Sequence, residues 1–515
     1  MEEAKNYSLN KKALFILILI LILGSFLRLY NLGKESLWCD EFLSLGASSF
    51  SNISDVIFKK FYGHVDVFPP AYQILLHFLI KYIGNSEFIL RLPSCIFGIL
   101  SVYVTFLLGR YLYTYREGLI AASFMAVLHS PIQYSQEVRP YSMLLFFSLI
   151  SIYFWVKLMR VVNNDQKPSY YLLFSYTTLA VIASYTHYFG FYFIMLQVVS
   201  LFLFSIRRTK AFPSIFFICL FVSLSYLPWI IIIGKSHFVQ VCKIWGNVDT
   251  FKLKSPLILL NKYLYWFFTL NRSLLLKRFV VTIYALMFFR YLYYFFNPKI
   301  RKERYLRYLK STLLIISWIV IPLIVWVLIS FIRVEMVIAV TSRNFLIFLP
   351  FICLLIAHSL MQLPLKMYQK LFITILLFGF MLYQLFFVFQ YYSSYHKQQF
   401  REVVNEIIIN DNKYNDTLII SWGGIPIFFE YYFKKAKFNK HIDFAGYRKN
   451  NMAYRKPNLK DVKNIIATEN KRYVWVCVYK EFDSSLQNFL KENYKVIDSK
   501  IFSETSVWLF EKKDI

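Results

Sequence analysis

Apolar runs long enough to cross a membrane recur along this chain from Lys12 to about Gln390, separated by short polar connections. A bilayer core is roughly 30 Å thick, so a helix that crosses it needs about 20 apolar residues. With 58% hydrophobic residues among 515, the chain carries more apolar surface than a soluble fold buries. The sequence therefore predicts an α-helical polytopic membrane protein.

The net charge of +29 does not indicate a nucleic-acid partner, because the basic residues lie in short clusters between the apolar runs. Cytoplasmic loops of membrane proteins carry an excess of Lys and Arg. We therefore expect these clusters, and the N-terminus, to face the cytoplasm: Lys11/Lys12, Arg110/Arg116, Lys157/Arg160/Lys167, Arg207/Arg208/Lys210, Lys299–Lys310 and Lys366/Lys370.

The first apolar run has no small-residue cleavage site after it, which favours an uncleaved first helix over a signal peptide. Alternation of the basic connections then predicts about eleven spanning helices, within a range of about 11–13. Their expected ranges are 13–32, 86–109, 117–135, 140–158, 169–186, 188–206, 212–234, 276–297, 311–332, 344–361 and 370–391.

Two shorter apolar segments do not fit this alternation. Counting 68–84 as a span would place Arg110 and Arg116 outside, so a re-entrant or interfacial segment is expected there. Residues 255–271, in a long outer connection, are short, aromatic and flanked by lysines, as in a helix that lies in the membrane interface.

The character of the chain changes after about Gln390. QQFREVVNEIII has its apolar residues on one helical face, and the β-rich runs TLIISW and YVWVCVY alternate with helical patterns. This pattern predicts a small C-terminal α/β domain, which the alternation places on the outer side.

The motif LWCDEFLSLG places two carboxylates, Asp40 and Glu41, directly after the first helix in otherwise apolar surroundings. A carboxylate in a desolvated cleft can accept the proton of an attacking hydroxyl, and Asp40 is the first candidate for that base. The alternative is that both residues cap an interfacial helix, because the helix dipole favours acidic residues there.

A second polar cluster, HSPIQYSQEVRPYSML, lies at the expected outer turn between the third and fourth spans and holds Gln136, Glu137, Arg139 and Tyr141. Arg139 could bind a phosphate through charge-assisted hydrogen bonds, and Glu137 could orient it or bind a sugar hydroxyl. A local ion pair between Glu137 and Arg139 is the alternative.

Four further residues are candidates on the outer side. His187 lies at a junction of two spans and Arg343 at the mouth of another, while His64 and Asp66 precede the re-entrant segment. A lone histidine among aromatic residues is more often structural, and an arginine at a helix end often extends towards lipid headgroups. An ordinary turn explains His64 and Asp66 nearly as well as an acceptor site does.

Several segments together resemble the GT-C superfamily of bacterial membrane glycosyltransferases related to protein O-mannosyltransferases and lipid A aminoarabinose transferases. They are LWCDEFLSLG, DVFPPAYQILLHFLIKYIGNSEFILRLPSCIFGILSV and YSQEVRPYSMLL, in order over roughly 12–200, with weaker likeness at SRNFLIFLP and KQQFREVVNEI. The resemblance implies a lipid-phosphate sugar donor, a catalytic acidic pair and an active site beside the YSQE-x-R turn. The chain departs from relatives at Phe68, where they commonly have histidine, so that role is absent or passes to His64.

No metal site or disulfide framework is predicted, since no CxxC or Cys/His spacing occurs. The acidic pair is adjacent, unlike an Asp-x-Asp arrangement that would hold a divalent ion on a pyrophosphate. A phosphate site with Arg139 and Arg343 is therefore favoured over an obligatory metal, although a divalent ion is compatible with the sequence.

We expect residues 1–392 to form the transmembrane glycosyltransferase domain, with a catalytic first outer loop at 33–85, and 393–515 to form the extracytoplasmic α/β domain. The expected activity is inverting transfer of a hexose or pentose from a polyprenyl-phosphate carrier to an acceptor hydroxyl at the outer face of the cell (inner) membrane. The expected partners are that donor, a lipid, glycan or protein acceptor, and membrane lipids.

Two alternatives stay open. A transporter or flippase of a lipid-linked sugar also has many spans, but such proteins often show internal repeats and helices broken in mid-membrane. We find no convincing repeat between the halves, and the charged residues concentrate at one face instead of the bilayer centre. A polymerase or ligase of surface polysaccharide shares the donor class, but typically carries a large outer loop between spans instead of a C-terminal soluble part.

Overall fold

The computed structural model describes residues 10–62, 68–232, 303–332, 342–411, 413–414, 416–422, 427–438, 442–443, 459–480 and 482–513. The expected helix at 276–297 and the interfacial segment 255–271 lie outside these ranges. The chain forms two compact units, each built from segments distant in sequence. The first is Met1–Tyr30, Ser48–Gly84 and Leu90–Gln390, and the second is Asn31–Ala47, Asn85–Ile89 and Tyr391–Ile515. The predicted domain boundary at 392/393 stays a prediction.

Helices dominate the chain as far as Gln390. In chain order they are α1 (Lys11–Leu29), α2 (Cys39–Ser48), α3 (Ile53–Tyr62), α4 (Ala71–Tyr82), α5 (Glu87–Leu112), α6 (Tyr115–Val127), α7 (His129–Ser135), α8 (Tyr141–Asn163), α9 (Tyr170–Thr186), α10 (Tyr188–Ser205), α11 (Phe212–Ser225), α12 (Glu303–Ile332), α13 (Leu349–Gln362) and α14 (Met367–Tyr383). A 3-10 turn at Ser342–Phe348 precedes α13, and a π-turn at Gln384–Val388 follows α14.

Six helical segments in the described part of the chain are long and apolar enough to cross a membrane, so the chain is a multi-pass membrane protein. They are Lys11–Leu29, Glu87–Leu112, Tyr141–Asn163, Tyr188–Ser205, Phe212–Ile232 and Met367–Val388. Most expected spans match a helix closely, but 117–135 is broken at Leu128 into α6 and α7. Pro131 explains the break, because proline in a continuous helix cannot donate to the carbonyl four residues earlier and collides with it.

Packing in the first unit brings α1, α13 and α14 against α6, and gathers α8, α9, α10 and α11 into a neighbouring group. The fully buried Arg28 joins α1 to α6, since its guanidinium donates hydrogen bonds of 3.0 Å to the carbonyls of Met125 and Ala126. Helices α5 and α6 meet closely at two glycines: a Cβ on Gly109 would lie 2.5 Å from the Cα of Gly118.

The second unit contains a five-stranded sheet. Its strands are β1 (Thr417–Trp422), β2 (Ile442–Asp443), β3 (Tyr473–Tyr479), β4 (Tyr494–Phe502) and β5 (Thr505–Lys512), arranged β2-β1-β3-β5-β4. The first three are mutually parallel, whereas β5 runs antiparallel to β3 and β4. The helices that follow Gln390 in this unit are α15 (Phe400–Asp411), α16 (Ile427–Lys435), α17 (Leu459–Glu469) and α18 (Ser484–Asn493).

The core of this unit follows the sequence pattern. TLIISW and YVWVCVY form the strands β1 and β3, as predicted, and the structure pairs these two strands in parallel. Phe400, Val403, Val404 and Ile407 of α15 are all buried, as their common helical face indicated. The predicted fold class, a polytopic helical membrane protein with a small C-terminal α/β part, is confirmed.

Candidate functional site

The acidic pair belongs to the second unit, in the first turn of α2. Asp40 is partly exposed, whereas Glu41 is completely buried, with 0% of its surface accessible. The Oε1 atom of Glu41 lies 3.2 Å from Nζ of Lys397, and its Oε2 accepts a hydrogen bond from the amide of Trp38. Glu41 thus stabilises the start of the helix, while Asp40 beside it is partly exposed; the catalytic roles of both residues stay a prediction.

The residues leading into α2 are held by side chains far away in sequence. The amide of Leu37 donates to the hydroxyl of Tyr432 at 2.7 Å, and the amide of Cys39 donates to Oε1 of Gln398 at 3.2 Å. The Cys39 thiol lies 3.2 Å from the Tyr479 hydroxyl. Burial raises the pKa of this thiol to about 11, so it stays protonated at neutral pH.

Arg139 is the centre of a cluster in the first unit. Its side chain is 1% exposed, and its guanidinium carbon lies 4.9 Å from the ring centre of Phe68 and 5.9 Å from that of Tyr141. Phe68 stacks on the His187 ring at 4.6 Å. The guanidinium of Arg343 lies 5.8 Å from the same Tyr141 ring. Four predicted site residues, Arg139, Tyr141, His187 and Arg343, therefore come together.

The backbone at Arg139 is braced by residues that sequence reasoning missed. Its amide donates to the carbonyl of Glu137 at 2.8 Å, and its carbonyl accepts a hydrogen bond of 3.1 Å from Ser94. The Ser94 hydroxyl in turn lies 2.8 Å from that of Tyr72. Neither Ser94 nor Tyr72 is charged or part of a dense polar motif, so only their position in the fold reveals this function.

His187 connects α9 to α10 and caps α10, because its Nδ1 accepts a hydrogen bond of 3.0 Å from the amide of Phe189. Burial, together with the positive charge of Arg139, lowers its pKa to about 3. The imidazole is therefore neutral. The turn is tight: a Cβ on Gly190 would collide with the carbonyl of Ala183 and lie 3.0 Å from a methyl group of Leu144.

Gln136 and Glu137 make local contacts in the first unit. The Gln136 amide donates to the carbonyls of Arg28 and Tyr30, each at 2.9 Å, and so caps the C-terminal end of α1. Oε1 of Glu137 accepts a hydrogen bond of 3.2 Å from Gln133. Substrate binding by Gln136 and Glu137 stays a prediction.

His64 and Asp66 lie outside the described residues, and their predicted contribution to an acceptor site stays a prediction. Within the described ranges, no group of three or more His, Cys, Asp or Glu side chains is arranged to hold a metal ion. The described residues therefore offer two candidate reactive groups: the arginine–aromatic cluster of the first unit and the acidic pair at the start of α2 in the second.

Residues 68–232 match the family model for dolichyl-phosphate-mannose-protein mannosyltransferases. ArnT from Cupriavidus metallidurans, solved with undecaprenyl phosphate, is 10% identical with a TM-score of 0.52, over 97% of this chain and 98% of that one.

The archaeal oligosaccharyltransferase AglB from Archaeoglobus fulgidus, solved with an inhibitory peptide and a dolichol-phosphate, is 12% identical with a TM-score of 0.50. The match covers 90% of this chain and 69% of that one. No curated protein matches the sequence. The chain therefore has the fold of the GT-C superfamily of membrane glycosyltransferases, which confirms the resemblance found in its motifs.

Proposed function

We propose that this chain transfers a sugar from a polyprenyl-phosphate carrier to an acceptor hydroxyl at the outer face of the membrane, with inversion at the anomeric carbon. The observation that carries the proposal is the convergence of two guanidinium groups, those of Arg139 and Arg343, on the ring of Tyr141 in a GT-C fold. An anionic substrate group is the natural ligand of two such cations.

The phosphate end of the reaction is assigned to the arginine–aromatic cluster. As the bond between the anomeric carbon and the phosphate oxygen breaks, negative charge grows on the departing polyprenyl phosphate. Arg139 and Arg343 stabilise that charge, and burial of Arg139 strengthens its electrostatic effect. The neutral His187 stacks on Phe68, the ring beside Arg139, and leaves the positive charge of this cluster to the two arginines.

The base is assigned to Asp40. It accepts the proton of the acceptor hydroxyl, whose oxygen then attacks the anomeric carbon from the side opposite the phosphate. A single displacement of this kind inverts the anomeric centre. Asp40 suits this function better than Glu41, because Glu41 is fully buried and its carboxylate already binds Lys397.

The donor class is supported by the ligands of the structural neighbours, since ArnT was solved with undecaprenyl phosphate and AglB with a dolichol-phosphate. An isoprenoid tail remains in the bilayer against apolar helices while its head group reacts. The distribution of basic connections favours a cytoplasmic N-terminus and an outer location for the C-terminal part in the cell membrane. Lipid, glycan and protein acceptors are all compatible with this chemistry.

The test is transfer of label from a panel of polyprenyl-phosphate sugars in membranes that contain the wild-type chain or Asp40→Asn at equal expression. We expect transfer by the wild type and a loss of about 10²–10⁴-fold in the variant, the usual contribution of a general base. A chelator added to half of the samples tests metal dependence, and NMR of the product tests inversion at the anomeric carbon.

The matched control is Asp498→Asn, the same chemical change at an exposed position of β4, which should transfer at the wild-type rate. Transfer by Asp40→Asn at the wild-type rate would remove Asp40 as the base. If the wild type consumes no donor while an intact lipid-linked sugar crosses the membrane, the chain is a transporter and the proposal is wrong.

A further inference from the structure

The segment Lys397–Arg401, with the sequence KQQFR, follows the last membrane-spanning helix and is not used by the proposed chemistry. In the second unit it lies against Asn31–Ala47, the segment that carries the acidic pair. Lys397, Gln398, Phe400 and Arg401 contact different parts of that segment, whereas Gln399 exchanges hydrogen bonds with Ser503 of the C-terminal part. The stretch therefore acts as a bracket between the two. We name Lys397–Arg401 the bracket segment.

Lys397 contacts Glu41, the residue that directly follows the predicted base. Its side chain is 10% exposed, and its Nζ lies 3.2 Å from Oε1 of the fully buried Glu41. A buried carboxylate needs a cation in good geometry, because desolvation of an unpaired charge is costly. Since Glu41 follows Asp40 directly in the first turn of α2, fixing Glu41 also fixes the backbone from which Asp40 projects.

Two other residues of the bracket segment bind around the same turn. Gln398 accepts the amide hydrogen of Cys39 on its side chain and the Ser36 hydroxyl hydrogen on its carbonyl. Phe400 packs edge-on against Phe42, with ring centres 6.1 Å apart.

Arg401 extends the bracket beyond the acidic turn. Its guanidinium donates to the carbonyls of Gly33 and Lys34, ahead of that turn. It also lies 3.5 Å from the carboxylate of Glu87, in the short segment Asn85–Ile89 of the same unit. Both Asn31–Ala47 and Asn85–Ile89 are therefore tied to one short stretch of the C-terminal part.

We propose that Lys397 is a positioning residue for glycosyl transfer: through its ion pair with Glu41, the bracket segment holds the first turn of α2 so that Asp40 points at the acceptor hydroxyl. This inference rests on the proposed function of Asp40. If Lys397 has this role, the C-terminal α/β part contributes to catalysis by fixing the position of the base. Small displacements of a reacting group reduce the rate steeply while leaving binding of a remote substrate part intact.

The experiment compares Lys397→Met with Lys397→Arg in the full-length chain. The first readout is kcat and KM for the polyprenyl-phosphate sugar. We expect Lys397→Met to lower kcat about tenfold or more, with the KM for the donor within about twofold of the wild-type value, because the base is displaced and the phosphate site is not. Lys397→Arg retains the cation and should restore most of kcat.

The second readout does not depend on activity. Cys39 lies between Trp38 and Asp40, and its thiol is hydrogen-bonded to the Tyr479 hydroxyl. Iodoacetamide reaches this thiol more readily when the turn loosens, so the rate of Cys39 alkylation reports how firmly the turn is held. Peptide mass spectrometry separates it from the other cysteines. We expect alkylation of Cys39 to accelerate several-fold in Lys397→Met and to stay near the wild-type rate in Lys397→Arg.

Two further variants make the result interpretable. Lys434→Met, at a lysine of α16 whose side chain is 75% exposed, is the matched control and should change neither readout. If Lys397→Met does not purify as a folded protein, Glu41→Gln combined with Lys397→Met leaves no unpaired buried charge. That double variant should fold and show the same selective loss of kcat.

The outcomes separate this inference from the proposed function. Faster alkylation of Cys39 together with a selective fall in kcat supports the positioning role. Faster alkylation with unchanged kcat, or no change in either, overturns it. If the wild type transfers sugar but Asp40→Asn does too, the assignment of the base has failed, and the inference about Lys397 falls with it.

Discussion

Arg139 shows most directly what a single residue contributes to this fold. Its guanidinium is buried between the rings of Phe68 and Tyr141, where a planar cation stacks well and a compact ammonium does not. We expect Arg139→Lys to keep the charge but lose the planar fork by which, in the proposed mechanism, Arg139 binds two oxygens of the phosphate. Loss of such charge-assisted hydrogen bonds corresponds to about 1.5–3 kcal/mol, or roughly 10–100-fold in kcat/KM for transfer.

The control for this prediction is Arg160→Lys. Arg160 also stacks on an aromatic ring, that of Tyr111 at 3.9 Å, but lies in an exposed position on the last turn of α8. Its substitution should leave kcat/KM unchanged. An equal loss in both variants would mean that arginine stacking, and not phosphate binding, limits the reaction.

At the scale of the secondary-structure element, helix α2 is packed against its neighbours through the aromatic side chain of Phe42. Phe42 stacks on Phe428 at 4.4 Å and contacts Tyr431 and Tyr432 edge-on. Removing a buried phenylalanine ring costs about 3–5 kcal/mol. We therefore expect Phe42→Ala to accelerate amide hydrogen exchange throughout α2, measured by mass spectrometry on the full-length chain in detergent.

Phe58→Ala is the comparison for this change, since Phe58 of α3 is 46% exposed and its ring contributes less packing. It should leave exchange in α2 unaltered. Slow exchange in α2 of Phe42→Ala would show that the hydrogen bonds to Leu37 and Cys39 hold the helix without the aromatic contact.

At the scale of the whole molecule, the second unit is not a simple C-terminal domain. It includes Asn31–Ala47 and Asn85–Ile89, and its core ring Phe400 packs against Phe42 of the earlier segment. A fragment of residues 391–515 alone would expose that apolar surface to water. We expect the fragment to melt about 5 °C or more below a version joined by a flexible linker to residues 31–47.

A fusion carrying a scrambled 31–47 sequence is the control for this comparison, and circular dichroism supplies the melting curves. The scrambled fusion should melt with the bare fragment. If all three proteins melt at one temperature, residues 391–515 form an independent domain, and Asn31–Ala47 adds nothing to its stability.

The amino-acid sequence by itself determined the membrane-spanning pattern, the α/β character of the C-terminal part and the residue types of the candidate site. These properties are local: hydropathy over about 20 residues, helical and strand periodicity, and dense polar motifs such as YSQEVRPY can all be read along the chain. The break at Leu128 was missed, although Pro131 is its local cause.

Only the tertiary structure decided which distant residues meet. Lys397 pairs with Glu41 across 356 positions, and Phe68 stacks on His187, yet no periodicity or spacing connects either pair. A buried charge or ring is stabilised by whatever partner the packed chain brings within reach, and that depends on the arrangement of whole elements. For that reason the sequence could propose Asp40 and Arg139, whereas the supports of Asp40, above all the bracket segment, emerged only from the fold.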